Sequence, residues 1–65
     1  MLQGYELWVT DREGRRAFRP AAARDVADVI HEARTMLAAD AALREVAISL
    51  AGQQLMTFEN APPEG

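Results

Sequence analysis

Residues 5–19 are YELWVTDREGRRAFR, and they read as two strands folded over a tight turn. Asp11 suits the opening position of a type I turn, because its carboxylate can accept backbone N–H groups just ahead of it. Gly14 suits the left-handed residue that closes a three-residue loop with a bulge. Such a loop pairs Asp11 with Arg15, Val9 with Ala17 and Trp8 with Phe18. The two-residue period of a strand then places Tyr5, Leu7, Val9 and Ala17 on one face, and Glu6, Trp8, Thr10, Arg16 and Phe18 on the other. A hairpin with one side in water alternates apolar and polar residues cleanly. This one carries large apolar groups on both sides, so either face suits a core, and the other is left needing a cover.

Downstream, residues 21–39 are expected to form one helix. Pro20 is acceptable at the first helical position, where its missing N–H would be unbonded in any case. Ala22, Val26, Val29, Ile30, Ala33 and Leu37 follow the i, i+3, i+4, i+7 spacing and occupy an arc of roughly 80–100°. Arg24, Asp28, His31, Glu32 and Thr35 lie opposite. Continuing the helix would bring Asp40 onto the apolar arc, so the segment is predicted to end near Ala39.

A second hairpin follows in EVAISLAGQQLMTFE, residues 45–59. Val46, Ile48 and Leu50 alternate with Ala47 and Ser49, the period of a half-buried strand. Gly52 marks the turn. A three-residue loop, Ala51 to Gln53, sets Leu50 opposite Gln54, Ile48 opposite Met56 and Val46 opposite Phe58. This register collects the large apolar groups on one face, whereas a two-residue turn scatters them. Leu55 and Thr57 then join Ala47 and Ser49 outside. The fold class expected is therefore α+β, in the order β-β-α-β-β, with one helix on a four-stranded, mainly antiparallel sheet. Residues 1–59 form a single domain in this reading, and residues 60–65, with two prolines and no apolar anchor, a flexible tail.

A chain of 65 residues buries only about 60% of its unfolded surface, and small scaffolds usually add disulfides, a metal or a partner subunit. Cysteine is absent and His31 is the sole histidine, so disulfides and thiolate zinc sites are excluded. Self-association is the remaining staple. The formal net charge of −3 gives a field that does not favour a polyanion. All seven basic residues are arginine and alanine is abundant, a GC-rich codon usage that points to a bacterial or phage genome. No apolar run approaches the ~20 residues of a membrane span, and the opening MLQGYELWVT lacks the pattern of a secretory leader. The expected location is cytoplasmic, with no membrane partner.

No catalytic, cofactor or metal residues are assigned. His31 points away from the apolar arc, and with Asp28 and Glu32 it lacks a second imidazole and enough converging ligands. Ser49, the only serine, sits in a predicted strand with no base or orienting acid. There is no glycine-rich phosphate loop. The candidate interaction residues lie on the first hairpin: Trp8 and Phe18, with Arg12, Arg15, Arg16 and Arg19 among them. Aromatics interleaved with guanidinium groups can stack bases and grip phosphates, although Glu6, Asp11 and Glu13 cancel much of that charge. The expectation is a small non-catalytic protein-interaction module, a homodimer anchored by Trp8 and Phe18, serving as a regulatory or accessory subunit. The alternative is a nucleic-acid-associated protein using the arginine-rich hairpin.

Overall fold

A computed structural model describes residues 3–61. Strands β1 (Gln3–Asp11) and β2 (Arg16–Ala23), helix α1 (Val26–Ala39), and strands β3 (Leu43–Leu50) and β4 (Gln53–Glu59) follow in that order. The fold is α+β, as the patterning requires. The sheet is antiparallel throughout, in the spatial order β2-β1-β3-β4. The first strand therefore lies inside the sheet, paired with β2 on one side and β3 on the other.

The first hairpin has the expected register, with Trp8 opposite Phe18 and Val9 opposite Ala17. Its turn closes through Asp11 N–H to Arg15 O at 2.9 Å and Gly14 N–H to Asp11 O at 3.0 Å. Asp11 Oδ1 accepts from Glu13 N at 2.9 Å and Arg15 N at 2.8 Å. Gly14 has φ +85°, a conformation that L side chains adopt at a cost.

The helix begins later than its apolar spacing suggests. Residues 21–23 continue β2, and Pro20 is a strand residue opposite Glu6 rather than the start of α1. An edge strand tolerates proline because one of its sides has no ladder bonds to make. The start is set by Asp25, whose carboxylate accepts from Asp28 N at 3.0 Å, satisfying one of the free donors of the first turn. Ala22, placed on the helical arc by its spacing, is an exposed strand residue. The end at Ala39 is as expected, with Asp40 as the cap.

The Tyr5–Leu7–Val9 face is the core. It packs with Ala21, Ala23, Val46 and Ile48 beneath Val29, Ala33 and Leu37 of α1, while Ile30 and Met36 are partly buried at the margin. Val26 is exposed, as is His31. Leu7, Ile48, Val29 and Val46 are the largest fully buried side chains, each stabilising the fold by about 1.5–3 kcal/mol through burial. The Arg34 guanidinium lies 5.3 Å from the Phe58 ring centroid and extends the helix's cover to the β4 edge.

The second turn differs from expectation. Leu50 pairs with Gln53, not Gln54, across a two-residue loop in which Ala51 and Gly52 have φ +52° and +80°. Two positive-φ residues match the right-handed twist of the strands they join. Ile48 still faces Met56 and Val46 still faces Phe58, because the register shifts between Ile48 and Ser49. A bulge at Leu55 supplies the extra residue that a longer loop was expected to provide.

The two described residues past β4 are hydrogen-bonded to the domain. Asn60 N–H donates to Arg44 O at 2.9 Å. Its side-chain amide donates to Leu37 O and Leu43 O, both at 2.9 Å. Ala61 O accepts from Arg12 Nη2, also at 2.9 Å. The remainder of the tail, 62–65, lies outside the described residues.

Candidate interaction surface

Because α1 covers only one side of the sheet, the other presents three rows of side chains fixed by strand register. Arg16, Thr10, Glu45 and Glu59 form the first row, from β2 across to β4. Phe18, Trp8, Ala47 and Thr57 form the second, and Pro20, Glu6, Ser49 and Gln54 the third, with Leu55 bulging beside it. Trp8 and Phe18 are in direct contact, ring centroids 5.1 Å apart and planes tilted by 52°. The Arg16 guanidinium lies 4.8 Å from the Trp8 ring centroid, a cation–π contact that also positions the indole.

Phe18 is 47% exposed and Leu55 42%. The small residues between the larger ones, Thr10, Ala47 and Ser49, are shielded by their neighbours although no helix lies over them. Trp8 is half-buried, and Phe18, Thr57 and Leu55 stand exposed around the shielded Ala47 and Ser49.

The six predicted surface residues do not form one cluster. Trp8, Phe18 and Arg16 meet on the open face. Arg15 pairs with Asp11 at 3.1 Å and with Glu13, so its charge is neutralised within its own turn. Arg12 serves the fold: Nε donates to Ala41 O at 2.8 Å, Nη2 to Ala61 O, and its backbone N–H to Ala42 O. Arg19 pairs with Leu7 in the sheet and hence projects to the helix side, where it borders a shallow hollow with Met36, Ala39, Asp40 and Leu43. The strand period separates Arg16 from Arg19 as surely as it separates Trp8 from Leu7.

The acidic residues are also distributed. Asp11 is held below its ordinary value of 3.8 chiefly by the Arg15 backbone N–H, with help from the Glu13 N–H and the Arg15 guanidinium. Glu6 Oε1 accepts from Gly52 N at 3.2 Å, linking the open face to the second turn. Glu45 and Glu59 are directly opposite each other. Among the described residues, neither has an ion-pair partner, and neither does Arg16. The strand period of VAIS extended back by one residue would have placed Glu45 on the open face. No local pattern announces the role of Arg12, whose acceptors are 29 and 49 residues away.

No group of three or more metal-binding side chains converges among the described residues, and none of the described helices is long and apolar enough to cross a membrane. Comparison with protein-family models, curated proteins and solved structures finds no match. The functional reading therefore rests on the chain's own chemistry.

Proposed function

We propose that the protein is a small non-catalytic interaction module, an accessory or regulatory subunit, that works as a homodimer through the open face of its sheet. The observation that carries this reading is the Trp8–Phe18 pair on the face the helix leaves bare, joined by Leu55 on the opposite half. An aromatic pair left uncovered on a sheet face is the kind of apolar surface that marks an interaction site on a small domain. The chain also has no disulfide to reinforce a small core, and burying this face against a second copy supplies that reinforcement.

A nucleic-acid surface draws less support. Arg12 and Arg15 are engaged within the chain, Arg19 lies on the other side, and Glu6, Glu45 and Glu59 outnumber Arg16 on the open face. Phosphate contacts require accessible cations.

The deciding experiment is sedimentation equilibrium from micromolar to hundreds of micromolar, on the wild type and on Trp8→Ala. Truncating an aromatic anchor in a desolvated interface costs about 2 kcal/mol or more, roughly a thirtyfold loss of affinity. The wild type should self-associate and melt at a temperature that rises with concentration, whereas the variant should shift to monomer, with a melting temperature that is lower and less concentration-dependent. A wild type that stays monomeric across the range would refute the dimer.

A further inference from the structure

We infer that the second copy sits face to face on the open sheet about a two-fold axis parallel to the strands, running between β1 and β3, so that Arg16 of each copy meets Glu59 and Glu45 of the other. This rests on the homodimer reading above and specifies its geometry.

Charge selects this axis. Arg16 occupies one end of its row and the Glu45–Glu59 pair the other. Like charges directly opposite on neighbouring strands are unfavourable, and this pair has no cation to relieve it among the described residues. Within its own sheet Arg16 pairs with neither glutamate: its guanidinium lies against Trp8, and three strand spacings, roughly 14 Å, separate it from Glu59. A two-fold parallel to the strands exchanges the ends of each row while keeping the rows in place. It sets Arg16 over the partner's acidic pair twice, once for each copy.

Side-chain size favours the same axis. The same operation lays the large Trp8 and Phe18 opposite the partner's smaller Ala47 and Thr57, and places Pro20 opposite the partner's Gln54, beside Leu55. A two-fold perpendicular to the strands instead stacks Trp8 on Trp8 and Ala47 on Ala47, wedging the sheets apart at one side. It also leaves Arg16 over proline. Packed sheets are rotated by about 30°. At an edge strand, about 7 Å from the axis, this displaces the partners by roughly 4 Å, within the reach of an arginine side chain.

In projection the face is about 400 Å² on each copy, from four strands and three rows at standard spacings. This is near half the ~800 Å² per partner of a standard stable interface, so the dimer belongs to the weak class and charge should decide its register.

The test uses two single reversals, Arg16→Glu and Glu59→Arg, with far-UV circular dichroism to confirm that each folds. The second variant also removes the Glu45–Glu59 repulsion, so its fold should hold. Each alone should self-associate about tenfold more weakly than the wild type, because Arg16→Glu sets like charges at both symmetric contacts and Glu59→Arg sets a second cation against Arg16 at each, with only Glu45 left to attract it. Mixed together, the two should form a heterodimer of near wild-type affinity, since both contacts are then between opposite charges. The double variant Arg16→Glu/Glu59→Arg should recover the homodimer. A wild type that dimerises while the two variants fail to associate with each other would overturn this axis and leave the dimer standing. A monomeric wild type at hundreds of micromolar would overturn both.

Discussion

Replacing Asn60 tests how the end of the chain is held. Its amide nitrogen donates to Leu37 O at the end of α1 and to Leu43 O at the start of β3, both at 2.9 Å, with Asp40 O at 3.4 Å. One side chain thus fastens the helix terminus and the helix-to-strand connection to the end of β4. Asn60→Ala removes two well-formed bonds and leaves part-buried carbonyls without donors. At about 0.5–1.5 kcal/mol for each bond, the loss should be about 1–3 kcal/mol. For a domain of this size, 1 kcal/mol lowers the melting temperature by about 4–8 °C, so a mid-range loss is a shift of roughly 8–16 °C. Asn60→Asp should be worse at neutral pH, because it turns a carboxylate toward carbonyl oxygens and offers no proton. Its folded-state pKa is then raised above the unfolded value near 3.9. The aspartate variant therefore loses stability as pH rises through that raised pKa, and regains it in acid, where a protonated carboxyl can donate. Thermal and urea unfolding of the wild type and both variants at pH 7 and pH 4 would measure each step. An alanine variant within about 0.5 kcal/mol of wild type, or an aspartate variant no worse than alanine at pH 7, would refute the donor assignment and the anchoring role.

Other perturbations follow from the same geometry. Ala51→Asn should stabilise the fold by about 0.5–1 kcal/mol, since Ala51 holds φ +52°, a left-handed conformation that asparagine adopts more readily than alanine; a decrease in melting temperature would count against the two-residue turn. Val29→Asp should abolish folding, because it places a charge at a fully buried position with no partner. His31→Ala, at an exposed position, should stay within about 0.5 kcal/mol of wild type; circular dichroism melts distinguish the two, and a large loss at His31 would mean that its helical face is misassigned. Asp11 has a folded pKa below its ordinary value, so the stability it contributes is complete above that value and declines as pH falls through the lowered pKa. The melting difference between wild type and Asp11→Ala should therefore narrow from pH 7 toward pH 2, and a difference that widens in acid would reverse the assigned sign.

Local signals determined the parts of this molecule that depend on neighbours in the chain. Asp11 and Gly14 specify the first turn, and its register follows because the strand period leaves Trp8 no partner but Phe18. The stretch from Val29 to Leu37 reads as a helix, and Asp40 ends it. The open face was half legible on the same grounds: Trp8, Phe18 and Arg16 fall together by alternation, whereas Arg19 has the opposite parity, and grouping it with them relied on proximity in sequence rather than on direction.

What required the tertiary structure was each choice between local alternatives of similar energy. Alanines 21–23 suit a strand or a helix, and pairing with β1 together with the Asp25 cap decided for the strand. The second turn could gain its extra residue in the loop or in the strand, and only the demand that Met56 and Phe58 reach the core was common to both; the bulge at Leu55 met it while the tighter turn matched the sheet's twist. Either face of the first hairpin could have carried the helix. The choice fell to the pairing of β1 with β3, which unites Leu7 and Val9 with Val46 and Ile48 beneath Val29, Ala33 and Leu37, and so leaves Trp8 and Phe18 on the other side. The anchoring of Arg12 and Asn60 is of the same kind, since their acceptors lie far along the chain and meet them only once the sheet has formed. Sequence patterning expresses the period of each element, and periods are local; which element lies beside which, and hence which face is bare, is set by the global minimum of exposed apolar surface.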